Sequence, residues 1–318
     1  MADSRRFLEV LSPEQVEQIH LLALRVLEEV GVWFPNREIL ERFQDAGAQV
    51  DVDTQRILIP AQLVEDSIRK FPPQFTWHAR NPAHSVVMNG ADTHFSFPDS
   101  TIHILDLDGR RRPGTETDGA NICRVCDALP NMAVASTGVN PPEMPSGVLE
   151  AWLTKTMYTH CSKPVFGTCR NAEVSHMTLR MAEVVADSCA HLPEGQLPLA
   201  IIMNPVSPLF NTPGQLEGML VYLRRGLPIS ISPEVQAGAT DPATLAGTMV
   251  QQTPATARET CWHATSRIHY PTAPYVSSSR STHLSNDHKD CSRRFATEDV
   301  RPKGTGKEHA HEPASVLS

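Results

Sequence analysis

Residues 163–172 read Lys163-Pro164-Val165-Phe166-Gly167-Thr168-Cys169-Arg170-Asn171-Ala172. A short apolar run over 164–169 ends in polar residues and gives way to a strong helical pattern over 172–188. The same unit recurs downstream. Residues 199–204 form a strand followed by a helix over 213–225, and 228–232 a strand followed by a helix that begins at Pro242. Upstream, 132–139 reads as a small-residue strand and 147–160 as its helix. Strands that each lead into a helix, with no reversal point, suggest consecutive units of a (β/α)8 barrel. A doubly wound sheet is the rival, but no strand is followed by a Gly-rich phosphate turn. The expected fold class is therefore α/β: a partial TIM barrel, in which residues 131–252 are the first half.

Residues 1–130 read as an N-terminal α+β extension. Ser12-Pro13-Glu14-Gln15 starts a helix, with Ser12 as cap, Pro13 at the first helical position and Gln15 closing a capping box. Val16, Ile19, Ala23, Val26, Leu27 and Val30 recur at helical spacing, and Gly31 can end the run. Further helices fit 37–46 and 60–70, with a short hairpin over 50–52 and 56–59 between them. Residues 75–108 alternate like strands, with turn signals at Asn81-Pro82, Asn89-Gly90, Pro98-Asp99 and Asp108-Gly109. A helix over 118–129, capped by Thr117, completes the extension.

Residues 253–318 are a different kind of sequence. Leu, Ile, Val and Met together occur there six times, and six of the 14 histidines fall there. Such a composition cannot offset its ordering entropy by burial. The change falls inside an apparent helix. It fits either a disordered tail or a shift of reading frame.

The 318 residues carry a formal charge of −8, which argues against a nucleic-acid binder driven by phosphate contacts. No apolar run reaches the ~20 residues that span a bilayer. Met1-Ala-Asp-Ser-Arg-Arg leads into no apolar signal core, so a cytoplasmic protein is expected. The seven scattered cysteines read as reduced thiols.

Most of the chemistry-bearing residues have structural readings. Cys123-Arg-Val-Cys126 matches CxxC but lies within a helix, so packing is expected. Asp106-Leu-Asp108-Gly109 resembles the start of a calcium loop without its remaining ligands, and reads as a turn. His94 and His103 could face each other across a hairpin, yet a pair without a third ligand makes no metal site. Arg110-Arg111-Arg112 reads as a solvated turn, and His309 and His311 lie in the aberrant tail. The strand ends are more informative, because barrels carry their chemistry there. Those positions are Asn140 and Glu143, Arg170 and Asn171, Asn204 and Ser207, and Ser232 and Glu234. Each could equally be a cap or a turn former.

Several stretches resemble the corrinoid-dependent trimethylamine methyltransferase family. Residues 19–32, from Ile19-His20-Leu21 to Val30-Gly31-Val32, look like its N-terminal helix. Ala79-Arg80-Asn81-Pro82, Leu105-Asp106, Arg112-Pro113 and Thr117-Asp118 follow in the family's order. Lys163-Pro164-Val165, Asn204-Pro205-Val206-Ser207-Pro208-Leu209 and the run from Gly238 to Gly247 look like its barrel motifs. The resemblance implies a TIM barrel and transfer of a methyl group from a methylated amine, trimethylamine or a betaine, to a separate corrinoid protein. The cobalamin would stay on that partner, so no tightly bound cofactor and no metal is expected here. A homo-oligomer is compatible with the resemblance. The family's run from Gly238 to Gly247 should continue into an apolar helix, whereas Thr253-Pro254-Ala255 begins the odd tail, and the region that holds pyrrolysine in some members is missing. A methylated cation calls for aromatic faces and a carboxylate. Glu234 and Phe210 are the candidates for that role, with Asn204, Ser207 and Arg170 placed to orient a substrate carboxylate. No catalytic residue is assigned.

Overall fold

The computed structural model describes residues 11–89, 92–97, 100–266 and 275–277. Helix α1 (Pro13–Arg25) carries the expected Ser12/Gln15 capping box. A π-helical turn over Val26–Val30 follows, and Gly31 ends it at φ 75°. A Cβ at Gly31 would run into the Ile57 carbonyl, so glycine is required twice over. Strand β1 (Val32–Trp33), helix α2 (Arg37–Asp45), and strands β2 (Gln49–Asp51) and β3 (Arg56–Leu58) make a small antiparallel sheet in the order β1-β3-β2. Helix α3 (Ala61–Ile68) follows and lies against α1. Two antiparallel pairs follow: β4 (Phe75–Trp77) with β5 (Val86–Met88), and β6 (His103–Leu105) with β7 (Arg111–Pro113).

Helix α4 (Glu116–Ala128) is capped by Thr115, not by Thr117. Asp118 closes a reciprocal box with Thr115 and is clamped by Arg112 at 2.6 and 2.9 Å, which fixes the earlier start. Arg112 also grips Asp106 at 2.9 Å. It is therefore an ion-pair centre and not the solvated turn residue expected.

The next expected strand, 132–139, is not a regular ladder. It touches its neighbours through single bridges, Phe95 with Met132, Thr101 with Val139, and Ala135 with Val165. Cys126 Sγ donates to the Val134 carbonyl at 3.0 Å and Cys123 Sγ to the Ser136 carbonyl at 3.3 Å, so one helix turn aims two buried thiols at this segment. The CxxC spacing serves packing, as read.

Helix α5 (Ser146–His160) leads into the main sheet: β8 (Val165–Thr168), α6 (Ala172–Asp187), β9 (Leu199–Met203), α7 (Pro213–Arg224), β10 (Ile229–Ile231), α8 (Leu245–Ser266) and β11 (Tyr275–Ser277). All pairings in this sheet are parallel, and the strand order follows the chain. The class is α/β, as expected. Val165, Leu199, Ile201, Met203, Ile229 and Ile231 point to the helices, where Leu216, Met219 and Leu223 of α7 complete the core. Gly218 brings α7 against α6, since a Cβ there would meet Ser175 Oγ at 2.7 Å and the Asn171 carbonyl at 3.0 Å.

The same core takes in Leu27, Phe34, Ile39, Phe43, Ile57 and Ile59. Residues before and after the 130/131 boundary therefore share one hydrophobic interior. The seam at 252/253 does not end the structure either. Helix α8 runs through it to Ser266 with Pro254 inside, lying against α1, α2 and α3. Thr253, Ala255, Thr256 and Ala257 are buried there. Counting large aliphatic residues missed this, because close helix contact is made with small side chains. Residues 278–318, His309 and His311 included, lie outside the described residues, as do Gly90, Pro98 and Asp99 of the expected turns.

Candidate functional site

Strand register decides which side chains meet. Gly167, Ile201 and Ile229 are aligned across β8, β9 and β10, and so are Thr168, Ile202 and Ser230. Side chains alternate between faces, so Phe166, Ala200, Thr168, Ile202 and Ser230 share the face turned away from the core helices. At the strand starts that face is apolar. Phe166 and Ala200 pack with Val134 and with Trp77 of the β4–β5 pair, and the Trp77 and Phe166 rings meet edge-on at 4.6 Å. At the strand ends it turns polar, through Thr168 and Ser230 to Arg170, Asn204 and Glu234.

Three carboxylates organise the polar end. Glu150, near the start of α5, is 5% exposed. Its Oε1 accepts from Arg170 Nε at 3.1 Å and Nη2 at 2.9 Å, and its Oε2 accepts from Thr168 Oγ1 at 2.9 Å. Glu234 is exposed, and its Oε1 accepts from Asn204 Nδ2 at 2.8 Å, tying the end of β9 to the end of β10. Asp241 accepts from Ser207 Oγ at 3.2 Å, from the Gln236 amide at 2.9 Å and from Thr240 Oγ1 at 2.8 Å. Gln215 of α7 donates to the Asn204 carbonyl at 3.1 Å and holds that residue in place. The Asn204 Oδ1 and Ser230 Oγ atoms are buried and have no hydrogen-bond partner among the described residues.

Phe210 stacks on Trp33 of β1, centroids 4.7 Å apart at 18°. The Trp33 amide also donates to the Leu209 carbonyl at 3.1 Å. One ring face of Phe210 is thus covered by the N-terminal sheet, which seals the loop after β9.

The structure therefore brings Asn204 and Glu234 into direct contact and sets Arg170 on the same face. It holds Ser207 one loop away on Asp241. Sequence reading missed Glu150, Asp241, Thr168 and Trp33. Glu150 carried a usable signal: it is the one acidic residue of the helix SGVLEAWLTKTMYTH, amid apolar neighbours. Other candidates resolve into local bonds. His94 meets the Val87 carbonyl and His103 meets Arg111. Gly109 turns at φ 82°, as the Asp-Gly signal implied. No group of three or more His, Cys, Asp or Glu able to hold a metal occurs among the described residues. No helix among them is long and apolar enough to cross a membrane.

Comparison with known proteins adds a lineage to this geometry. A glycine betaine methyltransferase of Desulfitobacterium hafniense (strain Y51) is 29% identical over 244 residues, covering 76% of this chain and 50% of that protein. A trimethylamine methyltransferase, MttB, of D. hafniense (strain DSM 10664 / DCB-2) is 32% identical over 240 residues, covering 75% of this chain and 48% of that one. The chain thus spans about half the length of the curated relatives it matches. The crystal structure of the Methanosarcina barkeri monomethylamine methyltransferase is similar over 83% of this chain and 66% of that one, with 10% identity and a TM-score of 0.38. The family model described as trimethylamine methyltransferase (MTTB) matches residues 1–285, past the seam at which the resemblance had been expected to stop. The chain belongs to the trimethylamine methyltransferase family.

Proposed function

We propose that the chain serves transfer of a methyl group from a methylated amine to a corrinoid protein, with its parallel sheet forming part of a TIM barrel. The observation that carries this reading is the polar end of the shared sheet face, where Glu234 is exposed and hydrogen-bonded through one oxygen only among the described residues. An ammonium group near that exposed carboxylate gains Coulomb energy of about 1 kcal/mol at 4 Å in water. The chain's own residues bind and orient the amine. Asn204 fixes the Glu234 carboxylate, and the apolar layer of Phe166, Ala200 and Trp77 closes the far end of the face against water. Proximity and alignment are the main contributions available to such a site. The corrinoid, carried by a separate partner protein, would supply the nucleophile that accepts the methyl group. No residue of this chain is assigned to hold it.

The test mixes the full chain with a reduced corrinoid protein and methylated amines, trimethylamine and glycine betaine among them, and follows methylcobalamin absorbance. Absorbance that rises only with chain and amine together supports the reading. No methylation with any amine refutes it. A second reading is that the chain binds the corrinoid protein without turnover. Capture of the corrinoid protein with no methylation would favour that one.

A further inference from the structure

We propose that Glu150 sets the substrate class of this site, selecting methylated ammonium cations that bear no carboxylate. The inference rests on the amine reading above and extends it to specificity.

Arg170 is the one basic side chain that the described ends of β8, β9 and β10 present, so it is the natural partner for a substrate carboxylate. Glu150 already holds it. The buried carboxylate takes both the Nε and the Nη2 hydrogens on one edge of the guanidinium. Thr168 Oγ1 occupies the other carboxylate oxygen, which fixes Glu150 from beneath. Two other donors are already engaged: Asn204 Nδ2 serves Glu234, and Ser207 Oγ serves Asp241. An incoming carboxylate is left the outer edge of a guanidinium whose charge Glu150 already offsets. An incoming ammonium group meets the exposed Glu234 carboxylate, while the charge of Arg170 is offset by Glu150. The two acceptors left over, Asn204 Oδ1 and Ser230 Oγ, also suit a protonated amine.

Glu150→Gln keeps the side-chain shape and an acceptor for Thr168, and removes the charge that compensates Arg170. The variant is expected to move preference towards a betaine.

The experiment titrates the full chain calorimetrically with tetramethylammonium and with glycine betaine. The wild type is expected to bind tetramethylammonium more tightly. Glu150→Gln is expected to shift the affinity ratio towards betaine by about tenfold, the equivalent of ~1.4 kcal/mol. Adding Arg170→Gln to that variant should cancel the shift. Should Glu150→Gln fail to fold, Arg170→Gln alone carries the test, since its side chain is half exposed. It should move the ratio by a similar factor towards tetramethylammonium, because Glu150 is then uncompensated. A ratio that stays within about twofold of wild type, well under the tenfold step, overturns the role of Glu150. A wild type that binds neither ligand refutes the amine reading itself, which is a separate result.

Discussion

Replacing Lys163 with Met should destabilise the protein more than any change at the candidate site. Lys163 is 3% exposed, and its Nζ donates to the carbonyls of Cys126 at 2.7 Å, Leu129 at 2.6 Å and Met132 at 2.6 Å. These carbonyls lie at and just beyond the C-terminus of α4, where a cation also suits the helix dipole. The Cys126 carbonyl has no helical donor. Leu129 is extended, as a residue before proline prefers, and Pro130 has no amide hydrogen. Hydrogen bonds to a charged group are worth about 1.5–3 kcal/mol each. Three that share one ammonium sum to less than three times that, so a loss of about 4 kcal/mol is the working figure. Methionine fills similar space and offers no donor, so the loss isolates the ammonium. Urea unfolding followed by tryptophan fluorescence, read as a shift in midpoint at constant slope, measures it. The thermal midpoint should fall by roughly 10 °C, at about 2–4 °C per kcal/mol for a chain of this size. A loss under about 1 kcal/mol would refute the argument, since unsatisfied buried carbonyls alone cost that much.

Three further outcomes are expected. The Arg112 guanidinium holds the Asp118 carboxyl well below its ordinary range, so the pair stabilises the fold above that range and its contribution fades as pH falls through it. Asp118→Asn should lower the thermal midpoint at neutral pH and flatten its fall towards acid; parallel curves for variant and wild type would count against the pair. A chain ended at Gln252 should melt below the full chain, because Thr253, Ala255, Thr256 and Ala257 are buried in α8; equal melting would show that the distal half of that helix adds nothing. Trp33→Ala should open the 205–211 loop to limited proteolysis through loss of the Phe210 stack, a pair worth about 0.5–1.5 kcal/mol beyond its area; an unchanged cleavage pattern would place the loop's rigidity elsewhere.

Local chemistry was legible in the sequence. The Ser12 box, the Asn171-capped start of α6 and the alternating βα units all rest on residues close in the chain. Partnerships across the fold were not. Arg112 looks like part of a basic run until Asp106 and Asp118 are seen on either side of it. Lys163 resembled a family motif and gave no hint that it caps a helix some thirty residues earlier. Glu150 read as one residue of a helix, because the groups that hold it arrive 18 and 20 residues later. Residues 132–139 have strand composition, yet they meet their neighbours only through isolated bridges. Small residues misled in the other direction at 253–257, where burial comes from close approach and not from side-chain bulk.

The alignment of β8, β9 and β10 works as a ruler for whatever binds at their ends. Backbone hydrogen bonds set the separation of Thr168, Ile202 and Ser230, the last aligned rank, in steps of about 4.8 Å, and no loop can alter that pitch. Insertions after each strand would change what hangs above these positions while their mutual spacing persists. Relatives that act on different amines should therefore differ at the gauge marks themselves, by exchanging the residue at a strand end, more than by remodelling the scale on which the marks are cut.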